Sequence, residues 1–247
     1  MLWGAIACVL TPPLYAQTST GNNTVNSRIS VATGVLKTDP GTWIFANNDN
    51  DYDGFTEIKN GVVSIGSIAD SGTNSAIGKG SSIILGQSGL NAGNGTLRFT
   101  GASGGSSNRT ISIATGTTAP STASGNGGIE NTVAGPTLTL SGGISATSTA
   151  GATFTVTGAG NFVVSGNVTT TGLAVIKSGT GTTTLSGTNA YTGTTTVNAG
   201  TLLINGDQSS ATGNVSAAGG ATLGGSGSGC PRPAGVTAAG RSAGRRR

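Results

Sequence analysis

The chain has 247 residues, of which 45 are glycine and 8% are charged, and it contains no histidine. The lack of histidine excludes Ser-His and Cys-His nucleophile pairs and histidine-ligated zinc. The formal net charge of +4 comes from five arginines after residue 230. The rest of the chain is near neutral and lacks the clustered basic residues typical of nucleic-acid-binding proteins, so we predict no nucleic-acid partner.

The first residues resemble the later part of a secretory signal peptide. Leu2 to Leu10 form an apolar run that is too short to span a bilayer, and prolines 12 and 13 end it. Ala16 offers a small residue before a cleavage point. We therefore predict a signal peptide over residues 1–16 and no membrane span in the chain.

Short strands bounded by glycine follow one another through the first half of the chain. Polar residues lead into a first predicted strand from Arg28 to Leu36, and Trp43 and Phe45 are expected in a core. The predicted strands are 28–36, 42–45, 61–66, 82–86 and 95–101. Their irregular spacing predicts an irregular N-terminal part of the fold.

One polar loop in this region carries a candidate metal site. Asp49, Asp51 and Asp53 precede Gly54 in the pattern D-x-D-x-D-G, which matches the first half of a calcium-binding loop. Asn60 stands where such a loop ends in a bidentate Glu, and no flanking helix is predicted. Calcium is thus the one candidate cofactor, and a solvated turn is the alternative.

The strand pattern becomes regular after Pro136. The segments 137–142 and 153–158 alternate apolar and polar residues, the segment 161–166 follows them, and successive strands close at glycines spaced near 20 residues. Such repetition predicts a β-solenoid whose turns stack about 4.8 Å apart. We expect these side chains to fill its interior: Leu138, Leu140, Phe154, Val156, Leu185, Val197, Leu202 and Ile204.

Residues 173–206 resemble the autotransporter-associated β-strand repeat. The resemblance rests on the strings K-x-G-x-G-T from Lys177, N-x-Y-T-G from Asn189 and A-G-T-L from Ala199. Thr183 departs from it, because the family usually carries Leu there. This position predicts either a hydroxyl inside the solenoid or a locally loose register.

The last segment, 230–247, breaks the pattern, because threonine and asparagine nearly vanish and proline and arginine appear. We interpret it as a disordered basic tail, with a frameshift as one explanation. The domain organisation predicted is thus a signal peptide over 1–16, a β-helical passenger over 17–229 and this tail.

The resemblance implies an all-β, right-handed parallel β-helix from the passenger of a secreted or surface protein of a Gram-negative bacterium. It implies a non-enzymatic adhesin or stalk at the cell surface or outer membrane. Its partners would be cell-surface or matrix glycans or proteins, or further copies of itself. Two alternatives stay open, a β-helical polysaccharide-acting enzyme or carbohydrate-binding module, and a non-functional truncated reading frame.

Overall fold

The computed structural model describes residues 15–17, 21–30, 33–87, 93–115, 125–146 and 151–229. These residues form 21 short β-strands and no helix. In chain order the strands are β1 Tyr15–Gln17, β2 Asn23–Val25, β3 Gly34–Lys37, β4 Thr42–Phe45, β5 Phe55–Ile58, β6 Gly61–Ile65, β7 Ser82–Gln87, β8 Asn94–Phe99, β9 Gly105–Ser107, β10 Thr110–Thr115, β11 Asn126–Asn131, β12 Thr137–Leu140, β13 Ile144–Ala146, β14 Thr153–Thr157, β15 Asn161–Val164, β16 Ala174–Lys177, β17 Thr182–Leu185, β18 Thr195–Val197, β19 Thr201–Ile204, β20 Val215–Ala217 and β21 Thr222–Gly224.

The strands assemble into three parallel sheets. The first sheet has the order β1-β3-β5-β7-β10-β13, the second β2-β4-β6-β8-β11-β14-β16-β18-β20, and the third β9-β12-β15-β17-β19-β21. Neighbouring strands within each sheet come from successive turns of the chain, which is the topology of a parallel β-helix. The predicted all-β parallel β-helix is confirmed.

The length of one turn varies along the axis. Contacts between neighbouring turns join residues 19 to 21 positions apart near both ends of the described chain. In the centre they join residues 32 to 35 positions apart. The additional residues lie between strands, for example between β6 and β7, so the sheets continue through the longer turns unchanged in register.

The interior is filled by stacked apolar rows. All eight side chains predicted to point inward are at most 2% exposed, and Trp43 and Phe45 are each 1% exposed. Both predictions of core residues are confirmed. Burial alternates along most strands because successive side chains point to opposite faces of a sheet, which places threonines such as Thr182 and Thr184 on the outside.

Thr183 lies inside the β-helix in the same register as its apolar neighbours. It pairs with Phe162 on one side and Leu202 on the other, so the register is intact. The side chain is 1% exposed, and its hydroxyl has no hydrogen-bond partner among the described residues. Of the two alternatives that the sequence left open, the structure shows the buried hydroxyl.

Replacing Thr183 with valine should stabilise the protein. The change removes a buried hydroxyl without a partner and keeps the volume, so we expect the free energy of unfolding to rise by about 1 kcal/mol. Thr184→Val, on the partly exposed face of the same strand, should change it by less than about 0.5 kcal/mol. Urea unfolding followed by circular dichroism measures both, and equal effects would contradict the assignment.

The regular strands change sides along the axis. Near the N terminus β3 to β6 alternate between the first and second sheets, whereas β16 to β21 alternate between the second and third. The predicted irregular N-terminal part corresponds to the third side, where residues 26–30 and 46–54 contain no strand. The strand predicted from Arg28 begins only at Gly34.

The two predicted terminal segments lie mostly outside the described residues. Within residues 1–16 only Tyr15 and Ala16 are described, as part of a strand that pairs with Val35 to Lys37. The signal peptide and the 230–247 tail therefore stay predictions. The described residues include no helix that is long and apolar enough to cross a membrane.

Candidate functional surface

The predicted calcium loop lies on the third side, where its carboxylates contact neighbouring turns. Asp51 accepts hydrogen bonds from the Arg28 guanidinium (2.7 Å) and the Ser30 hydroxyl (2.5 Å). The hydrogen bond from Ser30, helped by the charge of Arg28, lowers the pKa of Asp51. Asp49 accepts a hydrogen bond from the Asn74 amide at 2.7 Å. These contacts join three successive turns.

Asp53 points to a different partner, since its carboxylate lies 3.3 Å from the Lys79 ammonium. Asp49 and Asp51 share the Arg28 guanidinium, which lies 3.8 Å and 2.7 Å from their carboxylates, whereas Asp53 pairs with Lys79. Within the described ranges no group of three His, Cys, Asp or Glu residues is placed to hold a metal ion. Calcium binding at Asp49, Asp51 and Asp53 stays a prediction.

The long segment between β6 and β7 folds around a buried arginine. Arg109 is 2% exposed, and its guanidinium donates hydrogen bonds to the carbonyls of Ala69 (3.0 Å), Gly78 (2.7 Å) and Gly80. These carbonyls lie about 30 to 40 positions earlier in the chain, so the arginine fixes this segment from the next turn. Burial lowers its pKa.

Two regions of the chain share the same internal polar contacts. The hydroxyls of Tyr52 and Thr56 share a hydrogen bond of 2.7 Å, and so do those of Tyr191 and Thr195. Two buried asparagines likewise accept a hydrogen bond from a backbone N–H 21 residues earlier. They are Asn50, bonded to Ile29, and Asn189, bonded to Val168.

The same two regions bury a lysine at corresponding positions. Lys37 is fully buried; its ammonium donates to the Asp39 carboxylate at 2.9 Å and lies 5.4 Å from the Trp43 ring centroid. Lys177 is 2% exposed and donates to the backbone carbonyls of Gly179 and Ala199. One ammonium therefore has a buried counter-charge, whereas the other binds carbonyls.

The unfolding free energy should rise with pH in mildly alkaline solution. Burial lowers the pKa of Lys177 below 10.5 with no compensating charge, and burial also lowers that of Lys37. The folded state then binds fewer protons than the unfolded state until the pH reaches the ordinary lysine value, so raising the pH favours folding. We expect this slope in alkaline solution below the ordinary lysine pKa of 10.5.

Lys177→Met should reduce that slope, because it removes one of the two buried ammonium groups. Urea unfolding at several pH values measures it. The range ends below pH 10 because burial raises the pKa of Tyr52, and this group destabilises the folded state at higher pH. A flat profile for the unmodified chain would contradict the prediction.

The outer faces of the sheets carry rows of hydroxyl and amide side chains. On the third sheet Thr182, Thr201 and Thr222 lie in one row in consecutive turns. Corner asparagines connect the turns, since Asn161 accepts a hydrogen bond from the N–H of Thr182 and Asn167 one from that of Thr188. The exposed surface of this part is polar and almost uncharged.

A repetitive parallel β-helix with a polar outer face and a sealed apolar interior defines the class of protein, an elongated β-solenoid. The family model described as Passenger-associated-transport-repeat matches residues 35–65 and 175–204. These are the two regions that share the buried lysine and the tyrosine–threonine pair. The chain thus contains two repeats of this kind, and the resemblance to the autotransporter repeat is confirmed.

One curated relative is the adhesin BmaC autotransporter of Brucella suis biovar 1 (strain 1330). It is 34% identical to this chain over 139 residues, which is 56% of this chain and 4% of that protein. The chain therefore corresponds to a small part of the length of this relative. No solved structure matches the chain.

Sequence reasoning did not assign several residues that organise these contacts. The N-terminal repeat could have been found by aligning Val35-Leu36-Lys37 with Val175-Ile176-Lys177. Each tripeptide is followed by a glycine at the same distance, Gly41 and Gly181. One extra residue before Tyr52 breaks this alignment. Arg109 carries no comparable signal, because its partners are backbone carbonyls of a distant segment.

Proposed function

We propose that this chain is part of a surface-displayed autotransporter passenger that acts as an adhesin or as a stalk, without enzymatic chemistry. The observation that supports it most is the pair of passenger repeats built into a continuous parallel β-helix. Its local similarity to an autotransporter adhesin adds to this. The location would be the cell surface or outer membrane of a Gram-negative bacterium.

The geometry is suited to adhesion through many weak contacts. Outward side chains recur at every turn, about 4.8 Å apart, so one surface offers the same group many times. The partners would be cell-surface or matrix glycans or proteins. Such contacts need neither a cofactor nor a catalytic group.

The non-enzymatic part of the proposal is supported by how the carboxylates are used. Outside the loop around Asp51, Glu57 lies 3.8 Å from Lys59, and Glu130 accepts a hydrogen bond from Arg98 at 2.6 Å. A polysaccharide-acting enzyme would need a second carboxylate near one of these to complete an acid–base pair. Incubation with polysaccharides should therefore release no reducing ends.

Adhesion can be tested with the purified full chain on immobilised matrix proteins, glycan arrays and fixed epithelial cells. Saturable binding that the soluble chain competes away supports an adhesin. The control is the same chain after heat unfolding, which keeps the composition and loses the repeating surface. Absence of binding to all three supports would contradict the adhesin and favour the stalk.

A further inference from the structure

Five tripeptides of the chain have the form Asn-x-Ser or Asn-x-Thr, in which x is not proline. This form is the acceptor pattern for sugars linked to asparagine, so we call them the acceptor tripeptides. They begin at Asn22, Asn94, Asn108, Asn167 and Asn214. All five lie within the described residues, so their exposure can be compared with that of the other asparagines.

The asparagine of every acceptor tripeptide is exposed. The structure describes 18 asparagines, of which nine are exposed and nine are half-buried or buried. The acceptor tripeptides account for five of the exposed asparagines and for none of the others. Because residues i and i+2 of a β-strand share a face, the asparagine and the hydroxyl residue point outward together.

The middle residue anchors each acceptor tripeptide to the β-helix. Gly95, Arg109, Val168 and Val215 are buried. The remaining one, Asn23, is half-buried and lies in register with the buried Trp43. A sugar on the preceding asparagine would therefore lie in solvent and leave the packing of the interior unchanged.

The amide nitrogens that would carry the sugars have no hydrogen-bond partner among the described residues. Asn108 and Asn167 use only the side-chain oxygen, which accepts a hydrogen bond from the N–H of Ser71 (2.8 Å) or Thr188 (3.0 Å). By contrast Asn198, which is exposed but lies outside the acceptor tripeptides, donates through its amide nitrogen to a serine hydroxyl at 3.1 Å. A sugar replaces one hydrogen of the amide nitrogen, so both contacts of the acceptor asparagines would be kept.

Three acceptor tripeptides lead into strands of the second sheet. They begin at Asn22, Asn94 and Asn214, which lie at the start of β2, β8 and β20. Thr96 and Ser216, the hydroxyl residues of two of them, belong to one outward row. These two strands are five spacings apart in the sheet, or roughly 24 Å. Sugars on this edge would therefore be well separated along the axis.

We propose that the five acceptor asparagines are N-glycosylation sites, each modified with a hexose from a nucleoside diphosphate hexose. The amide nitrogen forms a bond to C1 of the hexose, and the bond between C1 and the diphosphate oxygen breaks. The nucleoside diphosphate leaves with the electron pair, and a base of the glycosyltransferase takes the proton from the amide nitrogen. This modification does not depend on whether the chain acts as an adhesin or as a stalk.

The low surface charge gives such sugars a physical role. Residues 132–229 contain two charged side chains, Lys177 and Asp207, and Lys177 is buried. A protein surface with almost no charge promotes association and precipitation. Sugars are bulky and solubilising, so hexoses at Asn167 and Asn214 would keep neighbouring molecules apart in solution.

Mass spectrometry of the full chain, purified from the bacterium that produces it, tests the proposal. We expect the intact mass to exceed that of the polypeptide by whole hexose units, and peptide mapping to place them on the acceptor asparagines. Asn198 and Asn205 are internal controls, because they are exposed without a hydroxyl residue two positions later. A chain without hexose, or hexoses on the control asparagines as well, would overturn the proposal.

Two variants made in the same bacterium test the hydroxyl position. Ser216 is exposed on β20, so neither change disturbs the interior. Ser216→Ala should lower the hexose at Asn214 at least about tenfold, whereas Ser216→Thr keeps the hydroxyl and should keep the sugar. Circular dichroism verifies that both variants fold. Equal occupancy of Asn214 in the two variants would show that the acceptor pattern is not recognised, and the proposal would be wrong.

Discussion

Lys37→Met should strongly destabilise the protein. The change removes the ammonium that lies 2.9 Å from the Asp39 carboxylate inside the β-helix, where both side chains are at most 4% exposed. It leaves an acid whose second oxygen already has no hydrogen-bond partner among the described residues. A buried carboxylate without its counter-charge typically costs about 3–5 kcal/mol, and we expect a loss of that size.

Lys177→Met is the matched control, because it makes the same change at the corresponding position of the second repeat. This ammonium binds backbone carbonyls instead of a carboxylate, so its removal leaves no buried charge behind. The lost hydrogen bonds to the carbonyls lower the unfolding free energy, whereas removing a buried ammonium raises it. We expect the two effects to offset each other to within about 1 kcal/mol. Urea unfolding of both variants at pH 7 checks the contrast, and equal losses would contradict it.

Arg109→Met should release the segment between β6 and β7. The guanidinium donates to at least three backbone carbonyls that lie inside the fold, and a methionine of similar length satisfies none of them. We expect a loss of about 3–5 kcal/mol in unfolding free energy, together with faster amide exchange over residues 69–80. Arg109→Lys should rescue little, since a single ammonium cannot reproduce the planar fork of donors.

Arg98→Met provides the comparison for this prediction. Arg98 also pairs across turns, with Glu130 at 2.6 Å, but both side chains are partly exposed on the second sheet. Its loss should cost no more than about 1 kcal/mol and leave exchange in residues 69–80 unchanged. Hydrogen–deuterium exchange measured by mass spectrometry distinguishes the two variants. Unchanged exchange over residues 69–80 in Arg109→Met would show that this segment keeps its structure without the arginine.

The strands that could be predicted are those with strict alternation. Residues 137–142 and 153–158 show it clearly, and the structure has the strands Thr137–Leu140 and Thr153–Thr157 within these segments. The strand β11 was missed, because Gly127 and Gly128 interrupt the pattern in sequence although the neighbouring turns hold them in a ladder. The strand β5 was missed because Phe55 directly follows an Asn-Asp run that is typical of a loop.

The polar contacts could be predicted less well, because most of them join different turns. The aspartate pattern at 49–53 suggested a metal loop, yet Asp49 and Asp51 contact residues more than 20 positions away in the chain. Local spacing carries no information on such partners until the turn length is known. The turn length varies from 19 to 34 residues here, so a fixed period does not find them.

The two repeats use different pairs of sheets, and this determines which sides of the β-helix carry connecting segments. The segment after β4 runs over the third side, whereas the segment after β17 runs over the first. The connecting segments are therefore exposed on two different sides of the β-helix, at two different positions along its axis. One polypeptide thus offers binding surfaces on two sides. Adding whole repeats would add further surfaces of this kind without changing the packing of the interior.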